Sequence, residues 1–124
     1  MSYFDSAFEK LIKNEGGYVN DPDDAGGETY LGISRKNHSK HMMWEVFIDP
    51  VVKKYKKTST INKELGANKD LTNCIKDIYK EEYWDKLNLD DCKNKKLAFQ
   101  LFDSAVNIGV SATKKLLNKI MRND

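Results

Sequence analysis

A chain of 124 residues with 40% hydrophobic and 32% charged side chains has the make-up of one soluble globular domain spanning residues 1–124. Its formal charge of +2 is too small for a nucleic-acid binder, and its 19 lysines against 2 arginines do not suit bidentate phosphate recognition. No apolar run approaches the length of a membrane span, so no membrane insertion is expected.

Residues 3–15 place Phe4, Phe8, Leu11 and Ile12 at i, i+4, i+7 and i+8, the stripe of an amphipathic helix. Gly16 and Gly17 are expected to end it, because glycine tolerates a left-handed cap. Five of the seven glycines then fall between Gly16 and Gly32, together with Pro22, Asp21, Asp23 and Asp24. Short apolar pieces, Tyr18–Val19 and Tyr30–Leu31, flank that centre, which predicts a small hairpin or irregular lobe.

From Ser34 a helix is predicted that carries Trp44, Phe47 and Ile48 near its end. Asp49 is then expected to cap a second short helix with Pro50 at its first position, burying Val51, Val52 and Tyr55 and wetting Lys53, Lys54, Lys56 and Lys57. Residues 58–69 are polar and read as an exposed loop. Asp70 opens a helix with Leu71, Ile75, Ile78 and Tyr79 inward, ending at Tyr83 and Trp84. Residues 96–108 form the most apolar helix, striped by Ala98, Leu101, Phe102, Ala105 and Val106 and ended by Gly109. Ser111 is expected to cap a last helix with Ala112, Leu116, Leu117, Ile120 and Met121 on its apolar side. The architecture is therefore mainly α, with a small irregular β-hairpin lobe after the first helix.

Chemistry concentrates around that lobe. Glu15 extends the apolar stripe of its helix and sits at the negative end of the helix dipole. Both effects favour the protonated carboxyl that a general acid needs; the alternative is a solvated Glu just past the helix end. Asp21, Asp23, Asp24 and Glu28 follow, with the hydroxyl of Thr29 nearby. Glycosidic cleavage needs one carboxylic acid at the leaving oxygen and an ionised group or held water on the other face of the sugar. A calcium loop starting at Asp21 fails at Ala25, its fifth position, and at Gly32, its twelfth. Cys74 and Cys92 do not make a disulfide framework and, with His38 and His41, show no ligand spacing, so two partly buried thiols and no metal or other cofactor are expected. Gln100, Asp103 and Asn107 fall at i, i+3 and i+7, either lining a saccharide groove or forming a solvent face. Tyr18, Tyr30, Tyr83 and Trp84 offer rings to stack on sugars, with core packing as the alternative.

The run EGGYVNDPDDAGGETYLGIS at residues 15–34 strongly resembles the signature of glycoside hydrolase family 108, N-acetylmuramidases of phage endolysins and related bacterial proteins. YKEEYWDKLNLDD at 79–91 and LFDSAVNIG at 101–109 match in order. The resemblance implies a lysozyme-like fold and hydrolysis of the β-1,4 bond between N-acetylmuramic acid and N-acetylglucosamine, with the glycan strands of peptidoglycan as partner. It makes Glu15 the catalytic acid. By a looser similarity to phage-type lysozymes, Asp24 and Thr29 join it, with Asp21 and Asp23 in reserve; Tyr18, Tyr30, Gln100, Asp103 and Asn107 become the candidate substrate contacts. Lytic transglycosylation and a truncated peptidoglycan-binding module are the rival readings. Relatives usually continue some tens of residues past the segment matching 111–121, and many carry Gln where this chain has Leu117. The chain thus reads as C-terminally shortened, which predicts a homo-oligomer through the uncovered side of residues 112–121. No signal peptide is legible at the N-terminus, so synthesis in the cytoplasm and release or export by another system are expected.

Overall fold

The computed structural model describes residues 2–23 and 27–122. Among the described residues six α-helices run in chain order: α1 Tyr3–Asn14, α2 Asp49–Lys54, α3 Thr58–Ala67, α4 Lys69–Tyr79, α5 Lys95–Ile108 and α6 Val110–Arg122. Between α1 and α2 lie three short strands, β1 Val19–Asn20, β2 Glu28–Tyr30 and β3 Ile33–Ser34, paired antiparallel in sequence order. The chain is mainly α with one hairpin lobe, as its patterning predicts. It divides into two compact units, residues 14–76 and residues 1–13 with 77–124.

The unit formed by residues 1–13 and 77–124 is built on an aromatic cluster. Phe4 meets Trp84 and Phe102 edge-on at ring-centroid distances of 5.3 and 5.8 Å, and Trp84 meets Phe102 at 5.5 Å. Such edge-to-face pairs add to the burial of the rings themselves. Ser2 starts α1 with a reciprocal cap: its Oγ accepts from the Asp5 N–H at 3.1 Å, and its own N–H donates to the Asp5 carboxylate at 3.3 Å. Beyond α4 the chain widens into a π-helical turn, Lys80–Trp84, that seats Trp84 in the core with its indole N–H on Asp90 at 2.8 Å.

Asn94 caps α5 through the Leu97 N–H, and Gly109, at φ +93°, ends it as expected. α6 differs from expectation. It begins at Val110, so Ser111 lies inside the helix rather than at its cap. It buries Thr113, whose hydroxyl donates to the Gly109 carbonyl at 2.8 Å and meets Ser104 at 3.0 Å, while Ala112 and Leu116 are exposed.

In the unit of residues 14–76, Ile33, Met43, Trp44, Ile48, Leu65, Leu71 and Ile75 are all but completely buried. Four expectations are corrected here. Ser34 does not start a helix: it ends β3, and its Oγ accepts from the Asn37 N–H in a turn. The helix begins only at Met43 and passes through a π-helical turn, Trp44–Ile48, directly into α2, with the Asp49 N–H bonded to the Trp44 carbonyl. Asp49 therefore caps nothing. Pro50 follows that turn, and a proline inside a helix lacks an N–H and crowds the carbonyl four residues back, which a wider turn relieves. Residues 58–67 are helix α3 and not a loop, with Ile61 and Leu65 buried one turn apart. α4 is capped by Asn68, whose side chain accepts from the Leu71 N–H at 3.0 Å, and not by Asp70. Cys74 and Cys92 are half-buried thiols not joined to each other.

Candidate active site

α1 buries Phe4, Ala7, Phe8 and Leu11, and the next position on that stripe is Glu15, one residue past the helix end. Glu15 is half-buried, and among the described residues its carboxylate makes no hydrogen bond or ion pair. A carboxyl that the fold neither pairs nor fully exposes is available to a ligand.

The two glycines that follow do not form the left-handed cap expected of them; neither has a positive φ. They serve different ends. A Cβ on Gly16 would meet nothing within 4 Å, whereas one on Gly17 would stand 2.5 Å from the side-chain oxygen of Asn62 on α3. That oxygen accepts the Tyr18 N–H at 2.8 Å, so the strand leaving Glu15 is tied to α3 through a gap only glycine leaves open.

Tyr18 is held at its other end as well. Its ring is buried and its hydroxyl donates to the Glu28 carboxylate in a short hydrogen bond. Burial first, and then Glu28, push the phenol well above its ordinary range, so it stays neutral and keeps its proton for that bond. The other Glu28 oxygen accepts from Arg35 at 3.0 Å, and Arg35 grips Asp49 with two parallel bonds of 2.7 and 3.0 Å. The bidentate geometry holds Asp49 below the usual carboxylate range, chiefly through the Arg35 hydrogen bonds. Arg35 also lies 5.5 Å over the Trp44 ring, whose indole N–H donates to the His38 carbonyl at 3.1 Å. A continuous chain of charge and hydrogen bonds thus runs from Tyr18 through Glu28 and Arg35 to Asp49.

β2 separates these roles by alternation. Glu28 and Tyr30 share one face and Thr29 the other. Thr29 pairs with Val19 and Ser34 across the sheet, on a face that is half-buried to exposed. Tyr30 is only 3% exposed, so its ring packs in the core and presents no face for a sugar. Tyr18 is likewise engaged in packing. Leu31 and Gly32, at φ +48° and +83°, make the two-residue turn between β2 and β3.

Asp21 and Asp23 are exposed, and the Asp21 carboxylate accepts the Asp23 N–H at 2.9 Å, closing its own turn. Asp24 lies outside the described residues. Gln100, Asp103 and Asn107 line the exposed side of α5 in the other unit. Tyr83 there is half-buried, and Trp84 is enclosed. Sequence reading missed Asn62, Arg35 and Asp49 as supports of the lobe. The signal for α3, and hence for Asn62, was the i, i+4 pair Ile61 and Leu65 within a polar stretch.

The glycosyl hydrolase 108 family profile matches residues 8–109. The chain belongs to that family. As a glycosyl hydrolase 108 member it is also similar to a solved structure, that of Brucella abortus SagA, with a TM-score of 0.60 and 29% sequence identity. The match covers 94% of this chain and 57% of the SagA chain, so the family domain seen here spans little more than half of that protein's length. No curated protein matches the chain. The mainly helical, lysozyme-like fold with its small antiparallel lobe is accordingly that of this family. Among the described residues, no helix is long and apolar enough to cross a membrane.

Proposed function

We propose that the chain is a peptidoglycan hydrolase, an N-acetylmuramidase that cleaves the β-1,4 bond between N-acetylmuramic acid and N-acetylglucosamine with Glu15 as general acid. One observation carries this reading within a glycosyl hydrolase family: Glu15 stands at the end of α1, half-buried and unpaired among the described residues, where the chain enters the hairpin lobe. A neutral carboxyl there gives its proton to the leaving oxygen as the glycosidic bond breaks, while an ionised group or a held water supports the opposite face of the sugar.

Asp24 is the candidate for that second role, with Thr29 on the open face of β2. Gln100, Asp103 and Asn107 are exposed and suited to sugar hydroxyls. Residues 1–124 act in this reading as one catalytic domain, and self-association through residues 112–121, where Ala112 and Leu116 are exposed, is its expected oligomeric behaviour, checked by light scattering.

The test is clearance of a cell-wall suspension by the full chain beside its Glu15→Gln form, with mass spectrometry of the products. Glu15→Gln keeps the shape of the acid but has no proton to give, so the rate falls on the order of 100-fold or more. Reducing muramic-acid ends identify hydrolysis, and anhydro ends would identify lytic transglycosylation instead. Clearance by Glu15→Gln at the parental rate removes Glu15 from the chemistry.

A further inference from the structure

The segment from Arg35 to Lys57 concentrates charge that the rest of the chain balances. It holds seven basic side chains against Glu45 and Asp49, a surplus of five positive charges in a protein whose total is +2. Four of the seven, Lys53, Lys54, Lys56 and Lys57, fall within five residues at the end of α2 and the link after it. All four are exposed, and among the described residues none makes a salt bridge, Lys53 only adding its charge to the field that keeps Asp49 ionised. Asp49, the acid closest to them in sequence, is occupied by Arg35. Lys54 extends over the half-buried ring of Tyr55, 5.4 Å from its centroid.

A lysine cluster alone would be a solvated face. Here it continues an apolar one. The continuous helix from Met43 to Lys54 buries Met43, Trp44 and Ile48 on its inner side. Met42, 56% exposed, directly precedes it and accepts the Val46 N–H through its carbonyl, and the outer side then carries Val46, 55% exposed, and exposed Pro50. Exposure marks the outer side through the π-helical turn: Val46, Pro50, Lys53 and Lys54 are all exposed on this helix, and Lys56 and Lys57 are exposed in the link directly after it. Glu45 is the one acid exposed on that helix. Scattered single apolar side chains are ordinary on a surface, but exposed Met42, Val46 and Pro50 lead along one short segment into four exposed lysines and form a two-part surface.

We propose that this face docks on an anionic phospholipid surface, with Lys53, Lys54, Lys56 and Lys57 at the headgroups and Met42, Val46 and Pro50 entering the boundary of the acyl chains. Charge complementarity selects an anionic partner, and the apolar row selects lipid over a soluble phosphate polymer, which would engage the lysines and leave Met42 and Val46 in water. The contact is peripheral and spans nothing. It is also independent of the hydrolytic reading, because every residue it uses lies outside the proposed chemistry.

Co-sedimentation of the full chain with vesicles of phosphatidylglycerol mixed in phosphatidylcholine, and with phosphatidylcholine alone, tests it. Binding is expected only to the mixed vesicles and should weaken steeply with salt. Each lysine near an anionic leaflet is worth roughly five-fold in partitioning, so K53Q/K54Q/K56Q/K57Q should lose on the order of 100-fold or more. M42S/V46S should lose several-fold at low salt, where the attraction of the lysines is intact. All six positions are exposed, and melting curves of both variants report that the fold is kept. Glu15→Gln should bind vesicles as the parent does, so a failure of the proposed hydrolysis and a failure of this contact are read apart. Absence of binding to mixed vesicles, or equal binding by the four-glutamine variant, overturns the proposal. Undiminished binding by M42S/V46S together with full competition by soluble polyphosphate also overturns it, and assigns the lysines to a phosphate polymer.

Discussion

Gly17→Ala should destabilise the fold through one side chain in particular, the amide of Asn62. A Cβ at position 17 would stand 2.5 Å from the Asn62 side-chain oxygen and 2.7 Å from its carbon, closer than such atoms approach. The amide must swing away, and in doing so it abandons the Tyr18 N–H that it accepts at 2.8 Å. Leaving a partly buried N–H without an acceptor costs about 1–3 kcal/mol. Against this, alanine restricts the unfolded chain and returns about 0.4–1 kcal/mol, since the backbone at Gly17 has no positive φ. The net expected loss is about 0.5–2 kcal/mol, or a melting temperature lower by about 2–8 °C. Asn62→Ala removes the same acceptor and should cost a similar amount. In the Asn62→Ala background the clash is gone, so Gly17→Ala should be neutral or slightly stabilising there. Gly16→Ala, with open space around its new Cβ, should stay within about 0.5 kcal/mol in either background. Urea unfolding of the four proteins of the cycle, with Gly16→Ala as reference, measures these terms. Additive losses at 17 and 62, or equal losses at 16 and 17, would refute the argument.

Asp49 takes up its proton less readily in the fold than in the unfolded chain, because Arg35 holds it ionised. That stabilisation is present above the ordinary carboxylate range and is lost as pH falls through the lowered folded value. Asp49→Asn should therefore melt lower than the parent at pH 7 and approach it in acid, which melting curves across pH will show; a gap that widens in acid contradicts this. Leu31 occupies a left-handed position that costs a branched L-residue about 1–2 kcal/mol, so Leu31→Asn should raise stability by up to about 1 kcal/mol in urea unfolding. A fall instead means that the half-buried leucine gains more from packing than the turn loses. Thr113→Val keeps the shape of a fully buried residue but removes its bonds to Gly109 and Ser104, for an expected loss of about 1 kcal/mol in the same assay.

The parts of the fold legible in the sequence are those whose apolar residues repeat at the helical period. α1, α4 and α5 announce themselves through Phe4–Phe8–Leu11, Leu71–Ile75–Ile78 and Ala98–Phe102–Ala105, and each of these residues is buried. Where the period changes, the signal fails. The π-helical turns at Trp44–Ile48 and Lys80–Trp84 step out of phase with a 3.6-residue stripe, and the helix before Pro50 begins at Met43 rather than Ser34 because the Ser34 hydroxyl closes a turn on the Asn37 N–H instead. α3 hides behind serine, threonine, asparagine and glycine, residues that favour turns when nothing packs against them, and only Ile61 and Leu65 betray its inner face. Thr113 is buried where a polar residue suggests exposure, because its hydroxyl is satisfied by a carbonyl four residues back. In the site, the helix-end position of Glu15 could be read from the stripe it extends. Its surroundings could not: Asn62 lies 44 residues from Tyr18 and Asp49 14 from Arg35, and no local pattern marks such pairings.

Each of the two compact units carries one of the protein's two tryptophans, Trp44 in residues 14–76 and Trp84 in the other. Both indoles are fully enclosed, and both have their N–H engaged, one by a backbone carbonyl and one by a carboxylate. The protein thus contains a separate fluorescent reporter for each unit, and replacing either tryptophan by phenylalanine isolates the emission of the other. Whether the units melt as one cooperative body or in succession becomes a question that two single-tryptophan proteins answer by the coincidence or separation of their unfolding curves.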